Sequence, residues 1–365
     1  MLASQLSRFL GWGKTRRDAC RRVAATGPAS TRRTLGASAL ALSAVLGVVS
    51  VGLTACGAAH TDVSSVPKHQ PGENPFVGHQ LLIDSQSAAA QTAERWSLAR
   101  PDDARAMRKI ADQPQAEWIG EWSGAVKLFV KQRMKFYEQY DAMGVFIVYN
   151  IPDRDCGQHS AGGAATPEKY IEWIEKLAEG LDDSRAALIL EPDAVPLLEK
   201  CTSEDKKAAR YELIARAVKI LKARENAIVY VDAGNARWVP PEDMAQRLIK
   251  AGLEYADGFS LNVSNYVATD ETLAYGKKIS ALTGGAHFVI DTGRNGNGAA
   301  PENEWCNPDG RALGHPPIFP TKEPACDAFL WLKRPGESDG ACNGGPRAGE
   351  WWPEFALGLA QRSKW

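Results

Sequence analysis

Short apolar runs recur along the chain, and each ends in polar residues. They cover 80–84, 145–150, 187–191, 227–232, 258–262, 287–291 and 328–333. Between most of them lie stretches with apolar positions at helical spacing, among them 167–181, 203–224 and 241–251. A strand that is apolar nearly throughout has no wet face, so it belongs in a parallel sheet covered on both sides. The intervening helices supply the cover. Six or seven such units within residues 75–365 predict an α/β fold, a distorted (β/α) barrel of about seven parallel strands. The active site of such a barrel is built at the C-terminal ends of its strands. Asp155, Asp193, Asp232, Asp291 and Asp339 all fall at or just past those ends. Carboxylates often cap the helix after a strand. Capping accounts for one or two of the five, and does not account for the tryptophans near them.

The N-terminal part has a different pattern. Residues 1–33 hold eight basic residues against one acid, and 34–55 are uncharged and apolar. Cys56 follows at once, in Leu53-Thr54-Ala55-Cys56. Small residues before a cysteine, closing such a stretch, resemble a bacterial lipobox. The resemblance implies cleavage before Cys56 and a lipid attached to it. An ordinary cleaved signal and a retained membrane anchor are the alternatives, since 22 such residues just span a bilayer. Arg32-Arg33 also resembles a twin-arginine export signal. Residues 57–74 are polar, without periodicity, and read as a tether. The expected organisation is a basic arm and signal over 1–55, a tether over 56–74 and one large domain over 75–365. The protein is expected to be exported, either as a cell-envelope lipoprotein or as a secreted monomer.

Charge narrows the function. The formal net charge of −1 hides the basic arm; the rest of the chain has 35 basic and 43 acidic residues, or −8. That body is ill-suited to nucleic acid and well suited to a neutral substrate. Ten of the eleven Trp lie in it, and some of them should face a groove. Its five cysteines fit an oxidising compartment. No Cys-x-x-Cys occurs and the six His are scattered, so neither a metal nor another cofactor is expected. The glycine-rich stretch 293–298 has the wrong order for a dinucleotide loop, and no nucleophile elbow appears.

Four segments concentrate the candidate chemistry: Tyr149-Asn150-Ile151-Pro152-Asp153-Arg154-Asp155-Cys156, Leu190-Glu191-Pro192-Asp193, Val231-Asp232-Ala233-Gly234 and Lys333-Arg334-Pro335-Gly336-Glu337-Ser338-Asp339-Gly340. Each places an acid after a strand, with Pro or Gly setting the turn. Neighbouring acids raise one another's pKa, while Arg154 or Lys333 would lower others. Carboxyls with separated pKa values supply the acid and base of glycoside hydrolysis. Sugar rings need apolar faces, and Trp118, Trp238 and Trp305 lie close by in sequence. The alternative from residue types alone is that Trp118 and Trp305 are core residues and Arg154–Asp155 a structural ion pair.

These segments resemble glycoside hydrolase family 6, the inverting cellulases. The match runs in order from Asn74-Pro75-Phe76 to Trp352-Pro353-Glu354. It also takes in Leu261-Asn262-Val263-Ser264-Asn265-Tyr266, Ile290-Asp291-Thr292-Gly293-Arg294-Asn295-Gly296 and Trp305-Cys306-Asn307-Pro308. The resemblance implies a catalytic domain that cleaves β-1,4-glucan chains or oligosaccharides without a cofactor. It makes Asp193 the general acid, with Asp155 beside it raising its pKa. It makes Asp339 the base, acting directly or through a water chain, and Asp232 a further acid near the site. Tyr149 would press on the sugar at the cleavage point, and Ser160 would help hold the attacking water. Trp118, Trp305, Lys333 and Glu337 would line the non-reducing side, with Arg154 a further substrate-binding candidate. Trp238 would be a stacking platform on the leaving-group side, and Asn265 would contact sugar. The resemblance also implies disulfides Cys156–Cys201 and Cys306–Cys342, with Cys326 free. Three departures bear on affinity for longer chains rather than on the reaction: Asn150 in place of Asp, Asn235 in place of His, and Val239-Pro240-Pro241 where a second Trp is usual. Short disulfide-bounded segments imply an open cleft and endo cleavage; the alternatives are cellobiohydrolase-type exo action and a non-catalytic glucan-binding lipoprotein on the same fold. No carbohydrate-binding module is expected, so soluble or amorphous glucan is favoured.

Overall fold

The computed structural model describes residues 72–365. The basic arm, the apolar stretch, Cys56 and nearly all of the tether lie outside the described residues. Among the described residues, no helix is long and apolar enough to cross a membrane.

Among the described residues the eight strands are β1 (Gln80–Leu81), β2 (Glu117–Ile119), β3 (Ala142–Val148), β4 (Ala186–Leu190), β5 (Ala227–Asp232), β6 (Gly258–Leu261), β7 (His287–Asp291) and β8 (Cys326–Leu330). Every pairing is parallel, in the order β1-β3-β4-β5-β6-β7-β8, and β2 pairs with β3 as well. The helices are α1 (Ala88–Trp96), α2 (Pro101–Ala111), α3 (Val126–Glu138), α4 (Pro167–Leu181), α5 (Leu198–Cys201), α6 (Glu204–Lys222), α7 (Pro241–Lys250), α8 (Thr269–Leu282) and α9 (Pro353–Gln361).

Alternation along the strands builds two cores. Phe146, Leu188, Val229, Phe259 and Ile290 face one way, into a core shared with Val130 of α3, Ile174 of α4, Ile214 of α6, Leu248 of α7 and Ile279 of α8. Val145, Ile147, Ile189, Tyr230 and Val289 face the other way, into the barrel interior with Phe76 and Leu330. Both strand faces are therefore dry, which is why the runs read as continuously apolar. The helices start on ordinary signals. Thr166 caps α4 by accepting the Lys169 N–H at 3.2 Å, and Pro167 opens the helix.

The sheet curls into a distorted barrel. Among the described residues no strand ladder joins β8 to β2; Ala116 N–H donates to Trp331 O, and the Trp118 indole donates to Leu332 O, both at 2.9 Å. Strands β5 and β7 have the predicted bounds, and β3 and β8 begin and end earlier than the apolar pattern suggests. Strand β2 has no counterpart among the predicted runs. It is three residues long and partly exposed, so it carries no hydrophobic run to read.

Candidate active site

A cleft of about 1390 Å³ opens over the C-terminal ends of the strands. Trp118, Tyr149, Arg154, Asp155, Ser160, Asp193, Trp238, Asn265, Trp305, Lys333, Glu337 and Asp339 all line it. Twelve of the thirteen candidate catalytic and sugar-contacting residues thus share one concavity. The exception is Asp232, which lies beneath it, 1% exposed.

Asp193 reaches the cleft through a tight turn. Glu191 and Asp193 both have positive φ, 49° and 73°, on either side of Pro192. Such backbone is costly for residues with a Cβ and needs support. Glu191 supplies part of it, accepting the Asn150 and Ile151 N–H groups at 3.0 Å. Asp232 supplies the rest. Its Oδ2 accepts the N–H groups of Asp193 and Gly234, both at 3.0 Å, and its Oδ1 accepts the Ser260 hydroxyl at 3.1 Å. Burial pushes Asp232 up to about 6.

The Asp193 carboxyl meets no hydrogen-bond donor among the described residues. It is held well above the usual carboxylate range, by loss of water first, then by the charges of Asp232 and Asp155. The sequence reading gave Asp155 that task; in the fold, burial leads and Asp232 precedes Asp155. Asp155 is itself raised by burial, against the Ser160 N–H, which donates to it at 2.7 Å.

Asp339 has the opposite surroundings. Its Oδ2 accepts from Tyr266 OH at 2.9 Å, Arg294 at 3.0 Å and Asn307 N–H at 3.0 Å. Its Oδ1 lies 2.9 Å from Arg294. Arg294 is 1% exposed and has its guanidinium 4.4 Å from the Tyr266 ring centroid. Sequence reasoning quoted the motifs that hold Arg294 and Tyr266 but gave neither a role. An arginine just past the end of an apolar strand was the available signal.

Arg154 corrects an expectation. Its five N–H groups go to Ser160 O, Tyr149 O, Ala161 O and both oxygens of Glu121. No donor is left for a sugar, and its ionic partner is Glu121 rather than Asp155. It braces the Asp155 loop. Asp291, named as a rim acid, is likewise a clasp, accepting the N–H groups of Gly293, Ser264 and Lys333 at 2.9–3.1 Å.

Aromatic surfaces surround the acids. The Trp118 and Tyr149 rings meet edge to face, 5.3 Å apart. Lys333 Nζ stands 5.5 Å from the Trp118 ring centroid and 3.7 Å from Glu337. Asn265 donates to Val263 O at 2.9 Å. Trp238 lies against Gly234 and Trp305 against His159. Trp122, which sequence reasoning passed over, lines the cleft too. Cys156–Cys201 and Cys306–Cys342 are bonded, and Cys326 is free and buried. Each bridge pins a loop that carries an acid, Asp155 on one and Asp339 on the other.

Comparison with known proteins gives the same direction. The chain is 43% identical over 273 residues to Endoglucanase A of Cellulomonas fimi, covering 74% of this chain and 59% of that protein. It is 41% identical over 278 residues to Endoglucanase 1 of Streptomyces halstedii, covering 73% of this chain and 84% of that one. Among solved structures, the endoglucanase Cel6 of Mycobacterium tuberculosis, in complex with methyl-cellobiosyl-4-deoxy-4-thio-β-D-cellobioside, matches with a TM-score of 0.75 and 44% identity. That match covers 79% of this chain and 99% of the other. A barrel with this rim of acids, matched over residues 76–363 by the model for the glycosyl hydrolases family 6, places the chain in that family.

Proposed function

We infer that the chain is an endo-acting β-1,4-glucanase that hydrolyses cellulose-type glucans with inversion at the anomeric carbon. One contrast supports the reading: in a single cleft, one carboxyl has no donor and another has three. Asp193, kept protonated, donates to the leaving glycosidic oxygen. Asp339 takes the proton of the attacking water, directly or through a second water. Among the described residues its Oδ1 is met by Arg294 alone, which leaves it a lone pair for that purpose. Two carboxyls on opposite sides of the bond, with room for water, give inversion. Tyr149 presses on the ring at the cleavage point, Asp155 helps to keep Asp193 protonated, and Ser160 helps to hold the attacking water. Trp118, Trp305, Lys333 and Glu337 take the non-reducing part, Trp238 stacks on the leaving part, and Asn265 contacts sugar. Endo action is supported by the short segments inside the two disulfides, 45 and 36 residues apart in sequence, and by relatives named endoglucanases.

The test is the anomer of the first product on a soluble β-1,4-glucan, read by NMR. Release of the α-anomer is expected; the β-anomer would exclude this mechanism. Asp193→Ala should lose most activity on native glucan and less on substrates with an activated leaving group, which need less protonation. Equal losses would remove Asp193 as the acid. Export with lipid on Cys56 belongs to the same reading. Incorporation of labelled palmitate that disappears in Cys56→Ala is the expected result; labelling of neither protein would contradict it.

A further inference from the structure

Trp122 has no part in the chemistry above, yet its setting is unusual. It is 54% exposed, and of the large exposed apolar residues described, only it and Trp305 line the cleft. An exposed indole costs free energy in water unless something covers it. Its ring lies down on Gly120, where an added methyl group would run into three of its ring carbons. The Arg154 guanidinium, itself 4% exposed and fixed by five hydrogen bonds, stands 5.0 Å from the ring centroid. The indole is therefore supported by backbone and by a buried cation, with more than half of its surface left open. A β-linked glucosyl unit has equatorial hydroxyls and presents axial C–H bonds from its flat face. An electron-rich ring, 54% exposed, matches that surface.

We propose that Trp122 is a further glucosyl-stacking platform on the rim of the cleft, holding a unit of chains longer than three residues. The proposal rests on the glucanase reading. The half-buried platforms at Trp118 and Trp238, with the buried Tyr149 between the strand ends, offer a short ligand more contact, so a trisaccharide occupies those first. Trp122 then acts only when chain remains to reach it. It also lies beside the Asp155 loop, so a sugar on it would sit against the residues that Arg154 ties together.

The experiment is calorimetric binding in the Asp193→Ala protein, which leaves the ligand uncut, with cellotriose and cellohexaose as probes. Adding Trp122→Ala should raise the cellohexaose Kd about fivefold, the size of one aromatic contact, and the cellotriose Kd less than twofold. Trp122→Phe, which keeps a smaller flat face, should fall between. Equal cellohexaose Kd values with and without Trp122 overturn the proposal. Equal fold losses for both ligands also overturn it, because a disturbed Arg154 brace would act on every ligand alike. Absence of cellohexaose binding by Asp193→Ala itself overturns the glucanase reading, and this inference falls with it.

Discussion

Replacing Asp232 by Asn removes one charge beneath the acid and little else. Asp232 Oδ2 accepts the Asp193 and Gly234 N–H groups, and an amide oxygen in that position accepts both. The amide nitrogen then faces Ser260 Oγ, which rotates from donor to acceptor. The turn that aims Asp193 therefore survives. What changes is the like charge that Asp193 feels. At the few-ångström separation that the shared turn imposes and an effective dielectric of about 20, that repulsion is on the order of 3 kcal/mol. Because Asp232 is itself held up at about 6, its charge is only partly present near neutrality, and the pair releases its protons jointly. The net effect is a lower Asp193 pKa. Since the proposed general acid must be protonated to work, the basic limb of kcat/KM against pH moves toward acid. The assay is initial-rate hydrolysis of cellotetraose from pH 4 to 9 for wild type and Asp232→Asn. A folded variant whose basic limb stays in place, or moves to higher pH, refutes Asp232 as a source of the raised acid.

Other perturbations follow from the same contacts. Burial holds Glu191 up at about 7, so its contribution to stability is complete below about 4.5 and is lost as pH rises through about 7. Glu191→Gln cannot ionise, so its melting temperature relative to wild type should improve between pH 5 and 8 in calorimetry; the reverse trend would contradict the assignment. Replacing both Cys156 and Cys201 by Ala opens a 45-residue loop and should cost about 4 kcal/mol, read as a lower denaturant midpoint. Arg154→Lys loses the paired contact with Glu121 and most backbone contacts, so kcat/KM on cello-oligosaccharides should fall by about tenfold or more. An unchanged rate would mean that the Asp155 loop needs no brace.

The sheet was legible where both strand faces are buried. Strands β3 to β8 were found because most of their side chains are apolar, whichever core they enter. Strand β2 was not, since it covers three residues of which only Ile119 is fully buried, and its Trp118 looked like an isolated aromatic. Acids at strand ends were equally visible, because parallel strands all deliver their C-termini to one rim. Their division into wall, floor and clasp was not. Asp232 and Asp291 read the same as Asp193 in sequence, yet the fold puts the first beneath the cleft and spends the second on backbone N–H groups. Arg154 misled for a similar reason: an arginine beside an acid suggests a pair, but its partner Glu121 lies 33 residues away.

The acid and base assignments turn on that same distance. A carboxyl's character depends on which donors reach it, and donors come from other strands. Asp339 is met by Arg294 from 45 residues away and Tyr266 from 73. Asp193 has acids for neighbours instead, Asp232 from 39 residues away and Asp155 from the adjoining loop. Local sequence around the two is of one kind, a turn-forming residue and an aspartate after a strand. A parallel barrel therefore makes two similar local motifs unlike by rotation alone, one at β4 between acidic neighbours and one past β8 facing the arginine that follows β7. The function depends on which strands stand next to each acid, more than on the acids themselves.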